Sequence, residues 1–417
     1  MRILKLTTKT EAELLKLRQN HDAEACRVAK KIVEDVRRRD DQAVEFWAAK
    51  LDGLRMRKDG LWISRKEMEA AKRRVGRKFL KAVEHAAKNV RLVAERQLPQ
   101  GWKLEVEPGV RIEQVVRPLD SVGCYIPGGR FALLSTLIMT AVPAQVAGVS
   151  RILAVCPKPN DALLATAEIL GISEFARIGG AQAIAALAYG TKRIAAVEKI
   201  CGPGNRFVTA AKQIVSVDCA IDMPAGPTEA VVIADSGNPA WIAADLLAQA
   251  EHAPDAGSYL VTTSLKFARK VREEVLLQLK KLGTDNPAQK SMRTTGAILL
   301  AASMEQVYEF VNRFAPEHLS LPMNGEHLLK GIRSAGTIFL GPLAAQPFGD
   351  YASGSNHVLP TGGWARRRGG LSATDFVKCI TVQRILESGC KGLGEDVMAL
   401  ANAEGLQAHA RAVEVRR

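Results

Sequence analysis

From about residue 119 onward, short apolar runs alternate with helical runs, and the alternation occurs twice over. Residues 121–126 predict a buried strand closed by Pro127-Gly128-Gly129. Residues 134–147 predict a helix, 151–155 a strand, 162–170 a helix, and 175–178 a strand ending in Gly179-Gly180. A helix over 181–189 and a strand over 195–200 lead into Gly202-Pro203-Gly204-Asn205. The second series runs strand 230–234, helix 239–252, strand 259–263, helix 267–282, strand 297–301, helix 304–314 and strand 337–340. Strands separated by helices of this length require parallel pairing through right-handed crossovers. Two such series imply an α/β protein with two related sheets and a cleft between them. The glycine turns fall at strand C-terminal ends, where parallel sheets bind ligands.

Residues 1–118 read as mostly helical, except that 102–116 alternates like strands. The tail from 371 holds a run at 377–386, a helical stretch at 394–403 and a histidine near its end. With 417 residues, 47% hydrophobic and 24% charged, the chain has globular composition and material for more than one core. No apolar run approaches a membrane span, and the apolar stretch at the N-terminus is too short for a signal peptide. A cytoplasmic protein without a membrane partner is therefore expected.

Seven scattered cysteines, none spaced Cys-x-x-Cys, argue against a disulfide framework. Most read as small buried hydrophobes. Cys124 and Cys201 stand beside glycine turns and could line a ligand, although no local basic residue would activate either thiol. The net charge of +14 raises the possibility of nucleic-acid binding. The basic residues, however, spread over amphipathic runs such as 65–91 and 267–281, and aromatics are only 5%. The charge reads as a solvated surface, and no nucleic-acid partner is expected.

Four of the seven histidines fall in segments with the makings of chemistry. Gln249 and His252 lie one helical turn apart at the end of a helical run stopped by Ala253-Pro254, so an amide oxygen and an imidazole can address one ion. A helix-end histidine facing the dipole is the plainer alternative. Ala315-Pro316-Glu317-His318 holds an acid and a base on a proline-fixed turn, suited to general acid–base work. Asp350 and His357 lie in a loop of small polar residues after a strand, and such loops often carry function. Gly202-Pro203-Gly204-Asn205 lacks the third glycine of a dinucleotide fingerprint, so that signal is weak alone.

Taken together, these segments resemble histidinol dehydrogenases over nearly the whole chain. The resemblance is carried by Gly123-Cys-Tyr-Ile-Pro-Gly-Gly-Arg130, Gly179-Gly-Ala-Gln-Ala183, Cys201-Gly-Pro-Gly-Asn205 and Ile221-Asp-Met-Pro-Ala-Gly-Pro-Thr-Glu229. It continues in Asp245-Leu-Leu-Ala-Gln-Ala-Glu-His252, Phe314-Ala-Pro-Glu-His-Leu319, residues 349–361, Gly369-Gly-Leu-Ser-Ala-Thr-Asp-Phe376 and Glu404-Gly-Leu-Gln-Ala-His409. Each piece is weak alone, but nine in the family's order are specific.

The resemblance implies oxidation of L-histidinol through L-histidinal to L-histidine, the last step of histidine biosynthesis, with two NAD+ and one Zn2+ per subunit. It implies zinc ligands Gln249, His252, Asp350 and His409, a donor set of oxygen and nitrogen that zinc accepts. It further implies His318 as the base of the hydride steps and Glu317 as the activator of water. Thr228, His357 and Glu404 would join the metal ligands and His318 in contacting substrate, and Tyr125, Gln182 and Asn205 would contact NAD+. The implied fold is a pair of Rossmann-like, aldehyde-dehydrogenase-like parallel-sheet domains with a helical N-terminal segment and a C-terminal arm. The expected division is 1–22 for that segment, 23–118 plus 228–370 for the first domain, 119–227 for the second, and 371–417 for the arm. The arm would complete the site of the partner subunit in a homodimer. Three features depart from the family pattern: Thr228 where serine is common, a short connection from Ser216 to Cys219, and the high net charge. The alternative function is a paralogous NAD- and zinc-dependent dehydrogenase of another small alcohol, such as an amino alcohol or a hydroxysulfonate.

Overall fold

The computed structural model describes residues 1–18, 22–128, 133–323 and 325–417. Five parallel strands form the first sheet: β4 (Ser121–Tyr125), β5 (Arg151–Val155), β6 (Glu174–Ala176), β7 (Lys199–Cys201) and β8 (Ala220–Ile221), in the spatial order β6-β5-β4-β7-β8. The second sheet has six parallel strands. These are β1 (Arg2–Lys5), β9 (Glu229–Ile233), β10 (Gly257–Thr262), β11 (Ala297–Leu300), β12 (His318–Leu321) and β13 (Thr337–Leu340), ordered β1-β11-β10-β9-β12-β13. Apart from β1 the two sheets wind identically. The first strand of each series takes the centre, the next two extend to one side, and the last two extend to the other. The winding therefore reverses between β4 and β7, and again between β9 and β12. The expected α/β architecture of two related parallel sheets is what the chain forms.

Both sheets are covered on both faces, as parallel sheets must be to shield their backbones. Leu153, Val155, Ile184 and Ile200 pack with Ile32, Val36 and Trp47 on one face of the five-stranded sheet, and Cys124, Ala154 and Phe175 pack with Met68, Val83 and Leu137 on the other. The six-stranded sheet buries Val231, Leu299 and Leu319 against Phe310 and Phe314, and Val232, Leu260 and Ile298 against Leu246 and Val271.

These packings correct two of the expected boundaries. The helices from Ala23–Arg39 to Arg77–Gln97 belong with the five-stranded sheet rather than with 228–370, because their apolar stripes (Ile32, Val36, Met68, Val83) face its two surfaces. Residues 1–22 are not simply helical. They begin with β1, which adds an edge to the six-stranded sheet by pairing with β11, and its residues Ile3 and Leu4 pack on opposite faces. The amphipathic run 65–91 is broken at Gly76, where extended backbone separates helices Arg65–Arg74 and Arg77–Gln97.

The C-terminal arm leaves the body after Phe376, which is still buried. Strand β14 (Val377–Ile385) pairs antiparallel along β3 (Val110–Pro118), which also pairs with β2 (Trp102–Glu107). Helices Glu387–Ala403 and Gln407–Glu414 follow and pack on each other. Trp102, Leu104, Val106, Ile380, Val382 and Leu400 are exposed along this extension. No helix among the described residues is long and apolar enough to cross a membrane.

Candidate active site

The central residues of the site gather at the N-terminal edge of the six-stranded sheet, where β9 and β12 lie side by side at its reversal point. Glu317 directly precedes β12 and His318 is its first residue. Thr228 directly precedes β9 and Glu229 opens it. Sequence reasoning anticipated ligand turns at strand C-terminal ends. For these four residues the opposite edge is used, because strand starts offer free N–H groups to a carboxylate. The amide of Glu229 donates to Glu317 Oε2 at 3.0 Å, and the hydroxyl of Thr228 donates to the same oxygen at 2.5 Å.

Further side chains close the group. Gln249, in the last turn of helix Pro239–Ala250, is fully buried, and its Nε2 donates to Thr228 Oγ1 at 2.7 Å. Its Oε1 accepts from Gln346 Nε2 at 2.6 Å. Asp350, buried in the short helix Gln346–Tyr351, brings Oδ1 to 3.5 Å from His318 Nε2. His318 Nδ1 stands 3.8 Å from Glu317 Oε2. Both separations exceed a hydrogen bond, so the buried His318 ring has two nitrogens without a hydrogen-bond partner. Phe339 of β13 stacks on that ring with centroids 6.0 Å apart. His357 turns Nδ1 to the Asp350 carbonyl at 2.7 Å and Nε2 to Thr136 Oγ1 at 3.3 Å, which ties the site to helix Leu134–Ala147 of the other sheet.

The electrostatics follow from this crowding. Burial opposes a charge on His318, but the carboxylates of Glu317 and Asp350 outweigh it and raise the imidazole above its ordinary value. Burial likewise opposes ionisation of Asp350, yet His318, His357 and His252 together hold its carboxyl below the usual range. Burial lowers His357, which keeps it neutral. His252 is exposed one residue beyond the helix cap. Its Nδ1 lies 3.0 Å from the Ala248 carbonyl, which favours a tautomer that leaves Nε2 as the acceptor.

The carboxylate of Asp350, the amide oxygen of Gln249 and the free Nε2 of His252 have the donor chemistry of a zinc site. Among the described residues, no three His, Cys, Asp or Glu side chains converge closely enough to hold a metal by themselves. Glu404 and His409 are exposed on the C-terminal arm and form no hydrogen bond or ion pair with this group. Within one chain the structure thus brings together Thr228, Gln249, Glu317, His318, Asp350 and His357, and leaves the two arm residues apart.

Three turns line the C-terminal edge of the five-stranded sheet. Tyr125 ends β4, and its hydroxyl accepts from the Gly180 amide at 3.1 Å. Gln182 donates Nε2 to Asp52 at 2.9 Å, while its buried Oε1 has no hydrogen-bond partner. Asn205 caps helix Arg206–Val215 by accepting from the amides of Phe207 and Val208. Gly202 has φ +116°, and a Cβ there would stand 2.1 Å from the Tyr125 carbonyl, so only glycine lets these two turns meet. An unpaired buried amide oxygen between glycine turns fits a polar ligand at this edge. Gly129 and Arg130 of the first turn lie outside the described residues.

Sequence reasoning missed Arg18, Asp52, Thr136, Gln346 and Phe339. None sits in a recognisable pattern, and each reaches its place through tertiary packing. The cysteines correct an expectation: Cys124 and Cys201 pair across β4 and β7 and are fully buried, so they line no ligand. Burial pushes the Cys124 thiol up to about 12 and the Cys201 thiol well above its ordinary value, which disfavours thiolate chemistry.

The histidinol dehydrogenase family profile matches residues 15–417. A histidinol dehydrogenase of Methanothermobacter thermautotrophicus is 45% identical over 392 residues, covering 92% of each chain. The crystal structure of histidinol dehydrogenase from Elizabethkingia anophelis superposes with TM-score 0.93 at 37% identity, over 100% of this chain and 98% of the other. An acetylating aldehyde dehydrogenase from Geobacillus thermoglucosidasius shares the fold at TM-score 0.50 and 13% identity, over 88% and 98% of the two chains. The chain belongs to the histidinol dehydrogenase family.

Proposed function

We propose that this protein oxidises L-histidinol through L-histidinal to L-histidine, using two NAD+ and one zinc ion per subunit. The observation that carries this is the buried Glu317–His318 pair, with both ring nitrogens of His318 free of hydrogen bonds beside Asp350. Family membership supplies the substrate.

Gln249, His252 and Asp350 would hold the zinc, with His409 from the arm of a second copy as the fourth ligand. When bound, zinc would anchor and orient the substrate, and NAD+ would be the hydride acceptor. Tyr125, Gln182 and Asn205 would contact NAD+. His318 takes the hydroxyl proton as the alcohol is oxidised. Glu317, aimed by Thr228 and Glu229, takes a proton from the water that adds to the aldehyde. His318 again serves as base when the hydrated aldehyde is oxidised. Thr228, His357 and Glu404 complete the substrate contacts, and the neutral state of His357 suits it to hydrogen bonding rather than charge. The exposed apolar side chains of the arm, among them Ile380, Val382 and Leu400, support its burial in a homodimer.

The test is NADH production from L-histidinol by zinc-loaded protein, with a chelator control. Two NADH and one L-histidine per histidinol, abolished by chelation, is the expected result. Absence of turnover with zinc and NAD+ bound would overturn the substrate assignment in favour of another small alcohol.

A further inference from the structure

Arg18 is a buried cation that the proposed reaction does not use. It caps helix Thr8–Leu17 and reaches the floor of the site. Its guanidinium donates to both oxygens of Glu229 and to the carbonyls of Phe314 and Ala315, and it lies 3.6 Å from the centroid of the Phe314 ring. These partners belong to the two segments that carry the acid–base pair.

The first segment is the turn entering Glu317. Ala315 has φ +48°, a left-handed conformation that is unfavourable for alanine, and it precedes a proline, which restricts it further. Such a conformation persists where the surroundings over-determine it. Here the surroundings are the Arg18 bonds to the carbonyls on either side and the Ala315 amide bond to Val311. The second segment is the start of β9, where the Glu229 amide fixes Glu317 Oε2 while the Glu229 carboxylate is held by Arg18. His318 is pinned differently, by strand pairing opposite Ala230 and Thr337.

We propose that Arg18 is a positioning residue: it clamps the strained Ala315 turn and the Glu229 end of β9 so that the Glu317 carboxylate keeps its aim at water in the aldehyde step. The inference rests on the assignment of Glu317 to water activation. Lysine at this position would keep the charge but could not span two carboxylate oxygens and two carbonyls at once.

The experiment compares Arg18→Lys, Glu229→Gln and Glu317→Gln in the zinc-loaded enzyme. The alcohol step is followed by single-turnover NADH formation from L-histidinol, and the aldehyde step by NADH formation from supplied L-histidinal. Glu317→Gln is the benchmark and should slow the aldehyde step selectively. Arg18→Lys should lower kcat of the aldehyde step about 10–100-fold, since small misplacements cost that much, with the alcohol step and KM for histidinol within about threefold. Glu229→Gln keeps the amide donor and should show the same selectivity at about threefold to tenfold. It serves as the second variant should Arg18→Lys fold poorly. Equal loss in both steps, or no loss in either variant, while Glu317→Gln stays selective, would overturn the role of Arg18 alone. A non-selective Glu317→Gln would overturn the Glu317 assignment and the inference with it.

Discussion

The hydroxyl of Thr228 is shared between two buried side chains: it donates to Glu317 Oε2 at 2.5 Å and accepts from Gln249 Nε2 at 2.7 Å. One oxygen therefore couples the proposed water activator to a proposed zinc ligand. Thr228→Val keeps the shape but leaves a buried carboxylate and a buried amide each short of a partner, at about 1–3 kcal/mol per group. The expected outcome is a drop of about 10–100-fold in kcat for histidinal oxidation together with weaker zinc retention. Thr228→Ser, which retains the hydroxyl, should stay within about threefold of the parent. Steady-state kinetics and metal analysis of the two variants check this.

The two βα series were legible in the sequence because each strand is a short run of apolar residues bounded by glycine turns. β5 and β13 fall at the expected residues, and the other strands of the two series shift by a few. β12 was expected only as an apolar strand of no stated bounds after Glu317-His318, and two strands were not legible at all. β1 lies in Met1-Arg-Ile-Leu-Lys-Leu, which has no turn before it, and β8 is only two residues long. Which sheet the helices between residues 23 and 97 cover could not be read either. An amphipathic stripe shows that a helix packs but not on what. The proposed acid–base and metal residues could be picked out because Glu317-His318 and Gln249–His252 are patterned locally. Arg18 and Gln346 were not, since each acts across nearly a hundred residues or more of chain.

The raised proton affinity of His318 makes stability depend on pH. A base whose folded value lies above its unfolded value contributes stability that is full below the unfolded value, about 6.5, and is lost as pH rises through the folded value. In chelator-treated protein, the melting temperature of the parent should therefore exceed that of His318→Gln by more at low pH than at high pH. The value of His357, lowered chiefly by burial, acts in the opposite direction in both proteins, so its contribution largely cancels, apart from the smaller part of the shift that comes from His318 itself. Thermal melts across about pH 6 to 9 read the difference directly, and a constant gap would contradict the electrostatic account.

Gln346 holds the carbonyl oxygen of the Gln249 amide at 2.6 Å and is itself fully buried. Groups that orient a metal ligand commonly contribute 10–100-fold to affinity. Gln346→Leu should therefore weaken zinc binding by about that factor and also lower the melting temperature of the metal-free protein, since the buried Gln249 Oε1 loses its donor at a cost of about 1–3 kcal/mol. Calorimetric titration of zinc into the two apo-proteins makes the comparison.

Lys212 and Asp222 form a buried ion pair beneath the Gly202 turn. Lys212 Nζ also donates to the Gly202 carbonyl at 3.0 Å, and Asp222 Oδ2 accepts from the Gly202 amide at 2.8 Å. Removing one partner strands a buried charge at a cost of about 3–5 kcal/mol, whereas replacing both with apolar residues of similar volume can be nearly neutral. Lys212→Met should lower stability strongly, and Lys212→Met with Asp222→Leu should recover much of it. NAD+ affinity should stay weakened in both variants, because the Gly202 carbonyl loses its Lys212 donor in each and the Gly202 amide also loses its Asp222 acceptor in the double variant. Denaturant melts and NAD+ titration separate the two effects.

The arm assignment has a test that no single-chain explanation satisfies. His252, though exposed, acts electrostatically on the Asp350 carboxyl, while His409 is exposed on the arm and makes no hydrogen bond or ion pair with the group. If the arm serves a second subunit, His252→Asn and His409→Asn should each be nearly inactive as homodimers. Mixing them under exchange conditions would put half of the dimers in the mixed form. In each mixed dimer the body of the His409→Asn chain meets the arm of the His252→Asn chain, giving one intact site of two. Activity should therefore rise to about a quarter of the parent value, as two-fold symmetry requires. An arm folding back on its own subunit leaves every site defective and gives no recovery, because each chain then carries its own lesion into its own site.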